Sequence, residues 1–94
     1  MATYAMFGKY SAAAIKDISP DRTKKSLDLL KKLGGDVKSM YALLGENDLL
    51  FIIDFPNMEA ALKASVSLSK LTGIAFVTSE AIAVEKFDKI MGEI

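Results

Sequence analysis

Apolar and polar positions divide the chain into stretches with different periods. Thr3 to Tyr10 (TYAMFGKY) is short and rich in aromatic residues, which predicts a strand. Ser11 to Ile18 reads either as a loop or as a short helical turn with Ile15 and Ile18 tucked inward. Ser19-Pro20-Asp21 then has the order of a helix start: a capping hydroxyl, proline at the first helical position, and an acid facing the dipole. Leu27, Leu30 and Leu33 follow at helical spacing, Leu29 widens the stripe, and Lys24, Lys25, Asp28, Lys31 and Lys32 mark a wet face. Gly34-Gly35 supplies the left-handed terminus of that helix.

Two further strands, Val37 to Leu44 and Asp48 to Phe55, are joined by Gly45-Glu46-Asn47, a loop short enough for a hairpin. Pro56-Asn57 stops the second of them, and Asn57 can cap a helix over Met58 to Leu71. On that helix Leu62, Val66 and Ser69 form one row, with Ala61, Ser65 and Leu68 on a neighbouring one; Thr72-Gly73 closes it. Ile74 to Ser79 predicts a fourth strand, Ala81 to Val84 an extension of it, and Glu85 to Ile94 a short amphipathic helix carrying Phe87, Ile90 and Met91.

The order β-α-β-β-α-β is the split βαβ, or ferredoxin-like, arrangement, an α+β fold of one domain spanning 1–94. Right-handed crossovers put both helices on one face of an antiparallel sheet. A sheet with one wet face should alternate apolar with polar along each strand. Here the third strand sets Leu49, Phe51, Ile53 and Phe55 on one side and Leu50 and Ile52 on the other. In the first strand Ala5 and Phe7 oppose Tyr4, Met6 and Tyr10, and in the second Val37, Tyr41 and Leu43 oppose Met40, Ala42 and Leu44. Two helices cover one side only, so the pattern calls for a second copy packed sheet against sheet, a homodimer or larger assembly. Composition points the same way. With Gly counted in place of Tyr, apolar residues make up ~54% of the chain, above the ~45–50% of typical soluble domains.

The charge balance narrows the partners. Twelve basic residues offset twelve acidic ones, and Arg22 is the only arginine. Nothing in that balance favours nucleic acid. The lack of Cys and His removes disulfides, thiolate chemistry and the commonest metal ligand and neutral-pH base, so no metal or cofactor is expected. No leader-like segment or membrane-length apolar run is seen, which makes the cytoplasm the expected compartment.

Several stretches together resemble the GYD-domain family: Gly8-Lys9-Tyr10, Ile18 to Lys25 (ISPDRTKK), Leu33-Gly34-Gly35, Tyr41 to Glu46 (YALLGE) with Asp48, and Gly73-Ile74-Ala75-Phe76. The resemblance runs from Tyr4 to about Phe87. It implies a fold similar to the dimeric α+β barrels, in which two ferredoxin-like sheets pack face to face, and it brings no established activity. The namesake motif has a tyrosine before the aspartate; this chain has Asn47 there.

Five residues are candidates for ligand binding. Asp48 and Asn47 sit at the hairpin, where both types also serve as ordinary turn residues. Arg22 lies in the first turn of a helix, where the dipole disfavours a cation; that placement suggests either an ion pair, with Asp48 as a partner, or an anionic ligand. Tyr10 and Tyr41 offer hydroxyls on amphipathic rings, as does Tyr4, against the plain reading of core or interface aromatics. Asp54 stands on an apolar face near a strand end: buried there it would serve as an acid or base with a raised pKa, against the plain reading in which it reaches water or a lysine at the assembly rim. The leading functional expectation is a homo-oligomeric module that binds a small, partly apolar metabolite. The alternatives are a cofactor-free α+β-barrel enzyme of isomerase or monooxygenase type, and a purely structural assembly protein.

Overall fold

Side-chain caps start three of the helices. Ser11 Oγ accepts from Ala14 N at 3.0 Å, Ser19 Oγ from Arg22 N at 3.1 Å and Asn57 Oδ1 from Ala60 N at 2.8 Å. Each satisfies a helix-start N–H that has no partner within its own helix. A computed structural model describes all residues, Met1 to Ile94. The elements are β1 (Ala2–Lys9), α1 (Ala12–Lys16), α2 (Pro20–Lys32), β2 (Asp36–Ala42), β3 (Leu49–Phe55), α3 (Met58–Thr72), β4 (Ala75–Ala81) and α4 (Val84–Gly92). The ambiguous Ser11–Ile18 stretch is thus a single helical turn.

The strands form one antiparallel sheet in the order β2-β3-β1-β4, with α2 and α3 on one face, as in a ferredoxin-like α+β fold. α2 ends in a Schellman motif. Gly34 has φ 89°, its N–H donates to Lys31 O, and Gly35 N donates back to Leu30 O. α3 ends in the simpler left-handed cap: Gly73, φ 73°, donates its N–H to Ser69 O at 2.8 Å. A Cβ on Gly35 would lie 2.8 Å from the Phe55 ring and 3.0 Å from the Leu30 carbonyl oxygen, so this glycine lets the chain pass closely between helix and sheet.

The core lies between sheet and helices: Tyr4 and Met6 of β1, Phe51, Ile53 and Phe55 of β3, Leu30 of α2, and Ala61, Ala64 and Leu68 of α3. Tyr4 meets Phe55 edge to face at 5.7 Å. Each large side chain buried here contributes about 1.5–3 kcal/mol. The buried row of α3 is Ala61-Ala64-Leu68-Thr72, whereas Leu62 and Val66, expected on the packing rows, are exposed. The small alanines let the helix sit close to the sheet, and this turns the bulkier neighbours outward. Ile15 and Ile18 are also exposed; Ala14 is the residue of α1 that packs inward.

The other sheet face carries Phe7, Leu50, Val77 and Tyr41 in one cross-strand row, since Phe7 pairs with both Leu50 and Val77, and Leu50 with Tyr41. Ile52 and Ala5 form the next row. A register shift between Val37 and Ser39 changes the expected facing of β2. Val37 pairs with Ile53 on the helix side, while Tyr41 pairs with Leu50 on the open side. A bulge of one residue moves everything beyond it to the opposite face, so a strictly alternating reading fails there.

α4 does not cover this open face. Every one of its residues is exposed, and the molecule measures 49 × 30 × 18 Å along its principal axes. The radius of gyration is 14.3 Å, against the ~12.4 Å expected for a compact chain of this length.

Candidate functional site

The end of the sheet where β1 and β2 finish and β3 and β4 begin is roofed by the first turns of α2. Between them lies a cavity of about 150 Å³. Its apolar wall comes from Ile18, Met40, Leu49, Phe51, Ile74 and Phe76, and its polar side from Tyr10, Ser19, Arg22, Thr23 and Ser26. Phe51 and Phe76 face each other with ring centroids 5.6 Å apart. Gly8 makes room for them: a Cβ there would come within 2.8 Å of the Phe76 ring.

The serine and threonine hydroxyls on the polar side are already occupied by α2 itself. Ser19 caps the helix, Thr23 Oγ1 donates to Ser19 O at 3.3 Å, and Ser26 Oγ donates to Arg22 O at 2.8 Å. Arg22 is different. Its guanidinium lies 5.5 Å from the centroid of the Tyr10 ring, within cation–π range. One Nη1 hydrogen goes to the carbonyl of Ala14, near the end of α1. The short α1 therefore delivers a carbonyl that fixes the arginine at the cavity. No carboxylate of the chain pairs with Arg22, so the ion pair with Asp48 considered from sequence does not form.

Asp48 instead anchors backbone. Its Oδ2 accepts from Tyr10 N at 2.8 Å, its N–H donates to Gly8 O at 2.8 Å, and its carbonyl accepts from Leu43 N at 2.8 Å. One residue thus ties the exit of β1 to the β2–β3 connection. Of the five sequence candidates, Tyr10, Arg22 and Tyr41 border the cavity. Tyr41 does so at the strand, because its register with Leu50 assigns its ring to the open face, where it is exposed. Asp48 stands behind the site, holding Tyr10, and Asn47 lies outside the lining. The aromatic walls Phe51 and Phe76 were not singled out from sequence. Their signal is only that they are helix-facing positions at the site end of β3 and β4.

Polar side chains elsewhere on the strands and helix ends have structural partners. Tyr4 Oη donates to Glu80 Oε1 at 3.3 Å, and burial, reinforced by the Glu80 carboxylate, raises its phenol pKa above the usual value. Thr72 Oγ1 donates to Leu68 O at 2.8 Å and accepts from Ile74 N at 3.1 Å, which makes it a helix stop. Thr78 donates to Ser65 Oγ at 2.9 Å. Asp54, on the open face, accepts from Thr3 Oγ1 at 2.6 Å and lies 3.8 Å from Lys38 Nζ, which itself reaches Asp36 at 2.7 Å. The bond and charge of Asp36, with a smaller part from Asp54, raise the Lys38 pKa. No helix is long and apolar enough to cross a membrane.

Comparison with known proteins agrees with this architecture. The model of the GYD domain matches residues 4–91. Among solved structures, the chain is similar to the Mycobacterium tuberculosis leucine response regulatory protein LrpA, with a TM-score of 0.63 at 11% identity. The match covers 87% of this chain and 51% of the regulator, so the chain corresponds to about half of that protein and shares its fold. No curated protein matches the sequence.

Proposed function

The chain belongs to the GYD-domain family, and from that premise we propose that it is a homo-oligomeric module binding a small, partly apolar carboxylate. The observation that carries the ligand reading is Arg22: a guanidinium stacked on Tyr10, pinned by a carbonyl, with no carboxylate of its own chain beside it. Such a group recognises a carboxylate through its remaining N–H donors. The phenyl rings and aliphatic side chains across the cavity suit an apolar body on the same ligand.

Size restricts the choice. A cavity of about 150 Å³ is below the ~300–1,000 Å³ of sites for drug-sized ligands. The ligand is therefore a fragment, a short branched or single-ring carboxylate. A domain of the same fold in a protein named for its response to leucine lends support to ligands of this scale.

The assembly reading rests on the row Tyr41-Leu50-Phe7-Val77 with Ile52 beside it, on a face that no element of the chain covers. Two copies packed through these faces would bury several large side chains per subunit, each worth about 1.5–3 kcal/mol.

The ligand reading is tested by recording amide spectra during titration with short-chain and single-ring carboxylates and with their amides. Carboxylates should shift the signals of Tyr10, Arg22 and Phe76, the amides should not, and Arg22→Met should abolish the response. If no carboxylate moves those signals at millimolar concentration, the ligand reading is wrong.

A further inference from the structure

α4 is a helix without a reason to be one inside its own chain. It has nine residues, and its N-cap, Ala83, makes no side-chain cap. Isolated helices shorter than ~12–15 residues are marginal in water, and short helices in proteins are held by packing of an apolar face. α4 has such a face: Val84, Phe87, Ile90 and Met91, continued by Ile94, recur at helical spacing. All five are at least 40% exposed. Only Ile82 and Ala83 separate the helix from β4, so its root is fixed at the corner of the sheet.

We infer that α4 is an exchanged arm whose apolar stripe is buried on a second copy of this chain. Three observations select that occupant. The chain exposes 6394 Å², against the ~5,300 Å² expected of a folded monomer of its mass. The excess, ~1,100 Å², is of the size one partner buries in a standard interface, ~800 Å². The open sheet face is an apolar surface of the same chain that equally lacks cover, and a groove at its corner, bordered by Met1, Thr3, Ile52, Ala81 and Ile82, joins that face to the root of α4. Arm and face are thus continuous, as one interface needs. The polar side of α4 carries Glu85, Asp88 and Glu93 against Lys86 and Lys89. This mixed, slightly acidic set lacks the Lys/Arg enrichment of helices that lie on membrane surfaces.

The arm rests on the homo-oligomeric reading proposed above, and two variant sets separate it from the sheet-face interface. Phe87→Glu/Ile90→Glu changes only the arm; Leu50→Lys changes only the sheet face. Native mass spectrometry and a concentration series give the dissociation constant, and hydrogen exchange reports on the amides of residues 88–94. Wild-type protein should be dimeric or larger with these amides protected. The arm variant should raise the dissociation constant roughly tenfold or more and lose the protection, while circular dichroism shows the body still folded. An arm variant that assembles as wild type, or an assembled wild type whose arm amides exchange freely, overturns the arm and leaves the sheet interface standing. If Leu50→Lys assembles normally but the arm variant does not, the sheet interface falls and the arm stands. A wild-type monomer at high micromolar concentration overturns both.

Discussion

The backbone N–H of Tyr10 donates to the Asp48 carboxylate at 2.8 Å, a bond that links residues 38 positions apart in sequence. The Tyr10 ring in turn carries the Arg22 guanidinium. Removing the carboxylate therefore costs stability and unsettles the site together. A hydrogen bond to a charged group contributes about 1.5–3 kcal/mol, and Asp48→Ala should lower the unfolding free energy by about that amount. Asp48→Asn, which keeps an acceptor oxygen, should lose less. Urea titration of the two variants checks the order.

The glycines at 8 and 35 should respond differently to a methyl group. At Gly35 the obstruction includes the Leu30 backbone oxygen, which cannot swing aside. Gly35→Ala should cost about 1–3 kcal/mol without altering carboxylate binding to the folded protein. At Gly8 the nearest atom is the edge of the Phe76 ring, which lines the cavity. Gly8→Ala should displace that ring and weaken carboxylate binding more than its loss of stability accounts for. Thermal melts paired with ligand titrations read both effects.

Leu50→Lys puts a charge in the middle of the apolar row of the open face. The side chain points away from the core, so the monomer should fold with a melting curve close to wild type at low concentration. Its assembly should weaken by at least tenfold, the effect of ~1.4 kcal/mol. Sedimentation over a dilution series distinguishes this from a stable assembly held elsewhere.

Alkaline pH should destabilise the fold through Tyr4 and Lys38. Both groups bind their proton more tightly in the folded chain, Tyr4 through burial and Glu80, Lys38 through Asp36 and then Asp54. Their contribution is complete below the ordinary values of 10.0 and 10.5 and fades as pH rises through the higher folded values. Tyr4→Phe and Lys38→Met should each flatten the loss of stability above about pH 10. Denaturant midpoints between neutral and strongly alkaline pH give the slopes.

Sequence made the local decisions legible. Ser19-Pro20 and Gly34-Gly35 bound α2 through contacts within a few residues, so their types alone announce the helix. Two-sided apolar strands were equally visible, because Leu50 and Ile52 keep both faces of β3 apolar until Asp54 near its end. The bulge at Lys38 was hidden, since no glycine marks it and the shift depends on how β2 meets β3. The site was legible in its chemistry and hidden in its wiring. Arg22 stood out as a cation in a helix's first turn, and Tyr10 as an amphipathic ring. That Asp48 holds the Tyr10 backbone and leaves Arg22 alone is a matter of geometry between β1 and the hairpin. Ile15 and Ile18 misled because a one-turn helix buries a single small residue, Ala14, and has no second turn to bring the isoleucines in.

The register break between Val37 and Ser39 also acts on the outer rim of the sheet. β2 is a terminal strand, and such strands invite further strands to add edge to edge, the route by which fibrils grow. A break in the ladder, flanked by Lys38 and two aspartates, offers an incoming strand neither a straight template nor a neutral one. Along this edge, a chain with so oily a face is thereby guarded against endless stacking.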